Sequence, residues 1–289
     1  MNLRSVFFSS YGLRSGWRFG IFLAIFLTPA GFASWTVRRL TSSNTIARIA
    51  ATELVSLICI LAATWVMSRI ERKPLSSFGL ALPGSAKRFT IGVLCGFASL
   101  SALLFSMRLA GAFDFGPQVL HGASILGYAA VWALVFAMVG LFEELTTRGY
   151  ALFVLSQGIG FWPAAWFLAM LFAAGHIANV GENPFGLTAA VLIAVLLAYS
   201  LKRTGSLWWA IGYHAAWDWA QSYFYGVPDS GLTFRGHLFE GIARGPSWLS
   251  GGTVGPEGSA FALLAIALLL AILLRVFKPT PPPGLERLR

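Results

Sequence analysis

Long apolar runs, broken at intervals by short polar or charged stretches, follow one another along the whole chain. A bilayer core about 30 Å thick takes roughly 20 apolar residues of helix to cross. By that ruler eight spans emerge: Trp17–Val37, Ile46–Met67, Thr90–Leu109, Ala123 through Glu143 towards Leu155, Phe161–Asn179, Gly186–Tyr199, Leu207–Tyr225 and Ser259–Phe277. The expected fold is all-α, a polytopic membrane bundle of about eight transmembrane helices. No internal repeat is visible, and no interval between spans could hold a soluble domain. The chain divides into residues 1–122 with helices one to three, 123–226 with helices four to seven, a loop over 227–258, and 259–289 with the last helix and a Pro-rich tail. The stretch from Gly226 to Gly258 carries nine glycines and reads as a re-entrant loop or lid.

Composition agrees with the pattern. The chain is 57% hydrophobic and 11% charged, with a mean hydropathy of +0.72, whereas a soluble domain carries about 25% charged residues. A water-soluble globule is excluded. The net charge of +10 is read as a topology signal, not as a nucleic-acid footprint. With the N-terminus cytoplasmic, 15 Lys and Arg fall inside and six outside: Arg38, Arg39, Arg48, Arg108, Arg235 and Arg244. That split favours both termini inside. Arg4, Arg14 and Arg18 precede the first apolar run, which is read as an uncleaved first helix. The four prolines of Pro279–Arg289 mark a disordered cytoplasmic end. Trp208 and Trp209 beside Lys202 and Arg203 read as an interfacial belt. Cys59 and Cys95 fall in apolar segments as small hydrophobes, with no disulfide framework.

Ionisable groups within a span cost about 2.5–3.5 kcal/mol each on insertion scales, so they are functional suspects. Only Glu53, Glu143, Glu144 and Asp218 among the acids lie there, with His176 and His214; five of these six gather on three helices of the second half. Glu144 and Arg148 are four apart and share a helix face, so they can neutralise one another. Glu143 is turned about 100° away and lacks that partner. His214 and Asp218 share a face at the same spacing. At about 1.5 Å per residue, His176 lies roughly 22 Å, Glu143 roughly 18 Å, Asp218 about 16 Å and His214 about 10 Å from the cytoplasmic ends of their spans. The four can meet within the membrane, provided the fourth helix runs unbroken to about Leu155. Glu53 either pairs with Arg48 or another helix, or serves water access. His121 and His237 lie in loops and are read as solvated.

Glu143-Glu144-x-x-x-Arg148, Phe172-x-x-x-His176 and His214-x-x-x-Asp218 resemble, in order, the three motifs of the CAAX-processing and bacteriocin-processing (Abi) intramembrane proteases. The resemblance covers roughly Gly127–Gly226. The stretch Ser247–Glu257 also looks like a segment of bacterial members, without an assigned role. The resemblance implies an endopeptidase acting on a membrane-associated or lipid-proximal peptide. Glu143 would be the general base that activates water, assisted by His176, and His214 with Asp218 would stabilise the oxyanion. Glu144 and Arg148 would hold the site together. Asp218 stands where family members carry Asn or Asp; an ionised Asp cannot donate to an oxyanion, so protonation, orientation of His214 or metal ligation are its alternatives. Phe172 and Asn179 are weaker candidates for substrate contact, the one otherwise packing and the other otherwise capping its helix. No certain cofactor follows. If a divalent metal such as zinc takes part, His176, His214, Asp218 and Glu143 are its ligands, although the His-Glu-x-x-His zinc signature is absent. The expected partners are membrane lipids and a peptide or protein substrate, with no nucleic acid, and the expected location is a bacterial cell membrane. Two other classes would use the same buried cluster: a non-proteolytic transporter, for which an internal repeat is missing, and an immunity or scaffold protein.

Overall fold

The computed structural model describes residues 6–9, 12–42 and 45–276. Arg4, the Pro279–Arg289 tail, Lys278 and the terminal Phe277 of the eighth expected span lie outside them. The bundle opens with α1 (Ser15–Leu40), α2 (Ile46–Glu71) and α3 (Ser85–Leu109), of 26, 26 and 25 residues. Then come α4 (Ala123–Arg148), α5 (Tyr150–Ile159), α6 (Phe161–His176), α7 (Pro184–Thr204) and α8 (Trp208–Trp219). A single turn, α9 (Ser247–Ser250), precedes α10 (Ala260–Val276). Five stretches are long and apolar enough to cross a membrane: Ser15–Leu40, Ile46–Glu71, Ser85–Leu109, Ala123–Ile159 and Pro184–Thr204. α6 and α10 are shorter apolar helices. The strands are two-residue pairings, β1 (Phe8–Ser9) with β2 (Gly12–Leu13) and β3 (Phe113–Asp114) with β4 (Ile242–Ala243). The protein is an all-α polytopic bundle.

Local chemistry sets the helix ends. Thr45 accepts the Arg48 backbone N–H at 3.2 Å to start α2. Asn183 accepts from Phe185 and Gly186 at 2.9 and 3.1 Å, and Pro184 fills the first turn of α7 where its missing N–H costs nothing. At its far end Gly205 takes the left-handed conformation, φ 66°.

Two expectations need correction. The fourth helix does not run unbroken to Leu155: it divides at Gly149, whose φ of −78° and ψ of −124° lie outside the helical region. A methyl group there would fall 2.6 Å from the Leu145 carbonyl oxygen, so the bend is one a larger residue could not follow. Trp209 is not in an interfacial belt. It is 1% exposed and stacks on Tyr213 within the core, ring centroids 5.3 Å apart. Trp208 alone reaches outward, donating its ring N–H to the Ala81 carbonyl at 3.0 Å.

The site helices are held by close backbone packing. On α3, Gly92 and Gly96 lie against α8. A methyl at Gly92 would fall 2.2 Å from the Trp209 carbonyl oxygen, and one at Gly96 2.2 Å from that of Tyr213. This is the small-xxx-small contact by which membrane helices approach without side chains between them. It fixes the height of α8 beside His214. On the other side Gly140 of α4 faces Ile211 and Ala215. Beyond Asp218, α8 loosens into a π-helical turn, Ala220–Phe224, whose Tyr223 hydroxyl donates to the Ile125 carbonyl at 2.8 Å. One apolar core, around Phe22, Leu145, Tyr150 and Ile211, joins α1, α2, α4 and α5 to the start of α8. A second, around Leu100, Leu104 and Phe113, joins α3 and α10. Arg18 of α1, at the edge of the first core, pairs with Glu71 at 3.0 Å and donates to Gln157 at 2.9 Å.

Candidate active site

The adjacent carboxylates of α4 project at different angles and meet one imidazole. Glu144 is fully buried and pairs with Arg148 one turn on, as their spacing suggested. Arg148, 3% exposed, also donates through Nε to the Ala194 carbonyl at 3.1 Å and lies over the Phe172 ring, 5.7 Å from its centroid. Phe172 is therefore a packing partner of the guanidinium. The same Glu144 oxygen faces His214 Nδ1 at 3.0 Å. On the far edge of the ring, His214 Nε2 lies 3.5 Å from Glu143 and 3.7 Å from Asp218. The imidazole of α8 is thus bracketed: Glu144 on one nitrogen, Glu143 and Asp218 on the other. Because the Glu144 carboxylate can only accept, Nδ1 carries a proton, and Nε2 is the nitrogen presented to Glu143 and Asp218. Exposure rises across the group. The Glu144 side chain is 0% exposed, that of His214 15% and that of Glu143 27%. Of the two adjacent glutamates, the more accessible is the one without an arginine.

His176 stands apart. It is the last residue of α6, and its Nδ1 lies 2.8 Å from the Phe172 carbonyl oxygen. The Phe172 ring leans on it at 4.6 Å. α4 and α6 touch, but among the described residues no ion pair or hydrogen bond joins His176 to Glu143, His214 or Asp218. The helix stops three residues short of the expected Asn179, which closes the following turn through its backbone N–H to the His176 carbonyl at 2.9 Å. Glu53 does not pair with Arg48 among the described residues; it lies within reach of the Glu143 charge. His237, expected in solvent, pairs with Glu240 at 2.9 Å.

Among the described residues no group of three or more His, Cys, Asp or Glu side chains is arranged to hold a metal ion. His214 turns one nitrogen to Glu144 and the other to Glu143 and Asp218, so these groups satisfy one another across the ring.

Sequence reasoning missed a second polar layer above Asp218. Gln221, 0% exposed on the π-helical turn, donates to the Glu257 carboxylate at 2.5 Å and to the Pro228 carbonyl at 2.6 Å. Ser222 donates to Asp229 at 2.9 Å. The signal was the Ser247–Glu257 stretch, whose acid had no place in a spacing argument.

Residues 125–220 match the family described as Rce1-like, type II CAAX prenyl endopeptidase Rce1-like. No match was found among curated proteins. The matched stretch contains Glu143, Glu144, Arg148, Phe172, His176, His214 and Asp218. Over residues 125–220, a third of its length, this membrane bundle is thus similar to the CAAX-processing intramembrane proteases described as Rce1-like.

Proposed function

We propose that this membrane protease hydrolyses a peptide bond at the membrane with water activated by Glu143. The observation that carries the reading is the bracketed His214. Water is a poor nucleophile at neutral pH, and a carboxylate placed to take its proton supplies about 10²–10⁴-fold in rate. Glu143 is the partly exposed carboxylate, without an arginine to occupy it. His214, its Nδ1 proton bound to Glu144, presents Nε2 at the same point. As an imidazolium it donates to the oxyanion of the tetrahedral intermediate, and Asp218 at 3.7 Å orients the ring and balances its charge. Arg148 keeps Glu144 from competing for the proton. His176, which no carboxylate ties down, assists Glu143 from the side of the bound peptide.

The substrate class follows from the family: a peptide whose cleavage site lies next to a lipid-anchored or membrane-embedded residue. The test uses purified full-length protein in proteoliposomes and an internally quenched farnesylated peptide with a CAAX-type end. Wild type should cleave it, while Glu143→Ala and His214→Ala should fold and lose most of the cleavage rate. Equal turnover by Glu143→Ala and wild type overturns the assignment.

A further inference from the structure

The helices that carry the two histidines both end close to the site. α6 stops at His176, and α8 passes into a π-helical turn after Trp219, the residue that follows Asp218. The Gly-rich loop lies across both ends. Its first half is hydrogen-bonded to the π-helical turn: Val227 N–H donates to the Gln221 carbonyl at 3.0 Å and Leu238 N–H to that of Tyr223 at 2.7 Å. Its tight turn, Asp229 to Leu232, is closed by two 2.8 Å backbone hydrogen bonds and tied to Val254 at 2.9 Å. This turn rests on the segment after His176. A methyl at Gly231 would fall 2.6 Å from the Val180 carbonyl oxygen, and one at Gly181 1.7 Å from Thr253 Oγ1.

A single carboxyl group joins the two contacts. One Glu257 oxygen accepts from Gln221 Nε2, three residues beyond Asp218; the other accepts from the Ser230 backbone N–H, inside the turn that meets Val180. We infer that Glu257 is a positioning residue for the cleavage site, clamping the Gly-rich loop so that the His214–Asp218 face of α8 and the His176 end of α6 keep a fixed separation. The inference rests on the reading of Glu143 and His214 as the reacting groups. The clamp works through geometry. A side chain with two acceptor positions bridges two helix ends that have no direct hydrogen bond to each other among the described residues. Its charge is dispensable, so a side chain of equal length that still offers an oxygen to Ser230 should keep the clamp closed. Gln at this position keeps the oxygen that meets Ser230, while the Gln221 amide stays anchored by its bond to the Pro228 carbonyl.

The experiment uses full-length protein with ¹⁵N-labelled histidine in detergent micelles, the His214 signals being assigned by their loss in His214→Gln. The same preparations are assayed with the quenched farnesylated peptide. Glu257→Ala should move the His214 signals and lower kcat about tenfold to 100-fold with KM little changed. Glu257→Gln should restore both the signals and most of the rate. Glu240→Ala, on the same loop but paired with His237, should leave His214 as in wild type. Should Glu257→Ala fail to fold, Gln221→Ala opens the same arm of the clamp and must move the His214 signals. Unmoved His214 signals in the variant that folds overturn the clamp. So does a Glu257→Gln protein as impaired as Glu257→Ala. If wild type does not cleave the peptide, the functional reading falls, and the imidazole signals still judge the clamp by themselves.

Discussion

His214 and His176 belong to the same matched segment and to different helices, and the fold treats them in opposite ways. The first is wedged among three carboxylates in mid-helix and held at both ring nitrogens. The second sits on the last turn of a 16-residue helix, bonded to the backbone of its own element. The contrast separates two tasks. A group that must meet developing charge in one place gains from rigid partners, because no reorganisation is then needed during the reaction. Under the proposed mechanism a group that assists from the side of the peptide needs no such set of charged partners.

The strongest way to break this comparison is to remove each imidazole in turn. His214→Ala should lower kcat about 10²–10³-fold, whereas His176→Ala should lose less in kcat and more in KM. Steady-state kinetics on the quenched peptide reads both numbers, and identical profiles would abolish the distinction. Next in size is the arginine behind Glu144. Arg148→Ala leaves a fully buried carboxylate without its arginine and held only by His214, a loss of about 3–5 kcal/mol, seen as a large fall in the unfolding midpoint in detergent. Arg148→Lys should recover part of it, since an ammonium pairs but cannot also reach the Ala194 carbonyl as a planar fork does. A smaller effect is expected at the helix contact. Gly96→Ala pushes α3 off the Tyr213 carbonyl at a cost of about 1–3 kcal/mol; thermal unfolding should show it, with a matching drop in rate as His214 shifts.

The smallest effect tests the loop that spans both histidines. Burial, reinforced by the charge of Asp229, pushes Glu257 up to about 8 from its ordinary 4.5. Burial and the charge of Asp218 raise Asp229 as well. A carboxyl group with a raised value keeps its proton in the folded state after the unfolded chain has lost it. Stability therefore falls as pH rises from about 4.5 to about 8 and levels off above. Melting curves across that window should slope downward in wild type by a few degrees. Glu257→Gln should flatten the slope, and Asp229 should leave a residual one. A wild-type melting point that rises across the window contradicts the assignment.

Much of the site was legible because helical spacing is a local property. Glu144 and Arg148 meet because four residues make one turn, and His214 shares a face with Asp218 for the same reason. The scarcity of charge in an apolar chain then singled out which residues to compare. Depth reasoning placed Glu143, His176, His214 and Asp218 roughly 10–22 Å from the cytoplasmic ends of their spans, where they could meet, but it relied on a long fourth helix. Gly149 breaks that helix, and Glu143 and His214 still meet because Gly140 on α4 and Gly92 and Gly96 on α3 let α8 approach closely. Which histidine would face Glu143 could not be read from spacing, since it depends on the angles between helices.

From sequence alone followed the helical class, the approximate spans and the three motifs, because hydrophobic periodicity and the cost of buried charge act along a single helix. Tertiary structure decided that Glu144 serves Arg148 and His214 at once, that His176 makes no ion pair or hydrogen bond with a carboxylate among the described residues, and that Glu257 bridges Gln221 and Ser230. Each of these depends on how separate helices and a Gly-rich loop pack together. Residues far apart in the chain, such as Gln221 and Glu257 or Arg148 and Ala194, acquire their partners only when backbone approach, rotation and height are set in three dimensions.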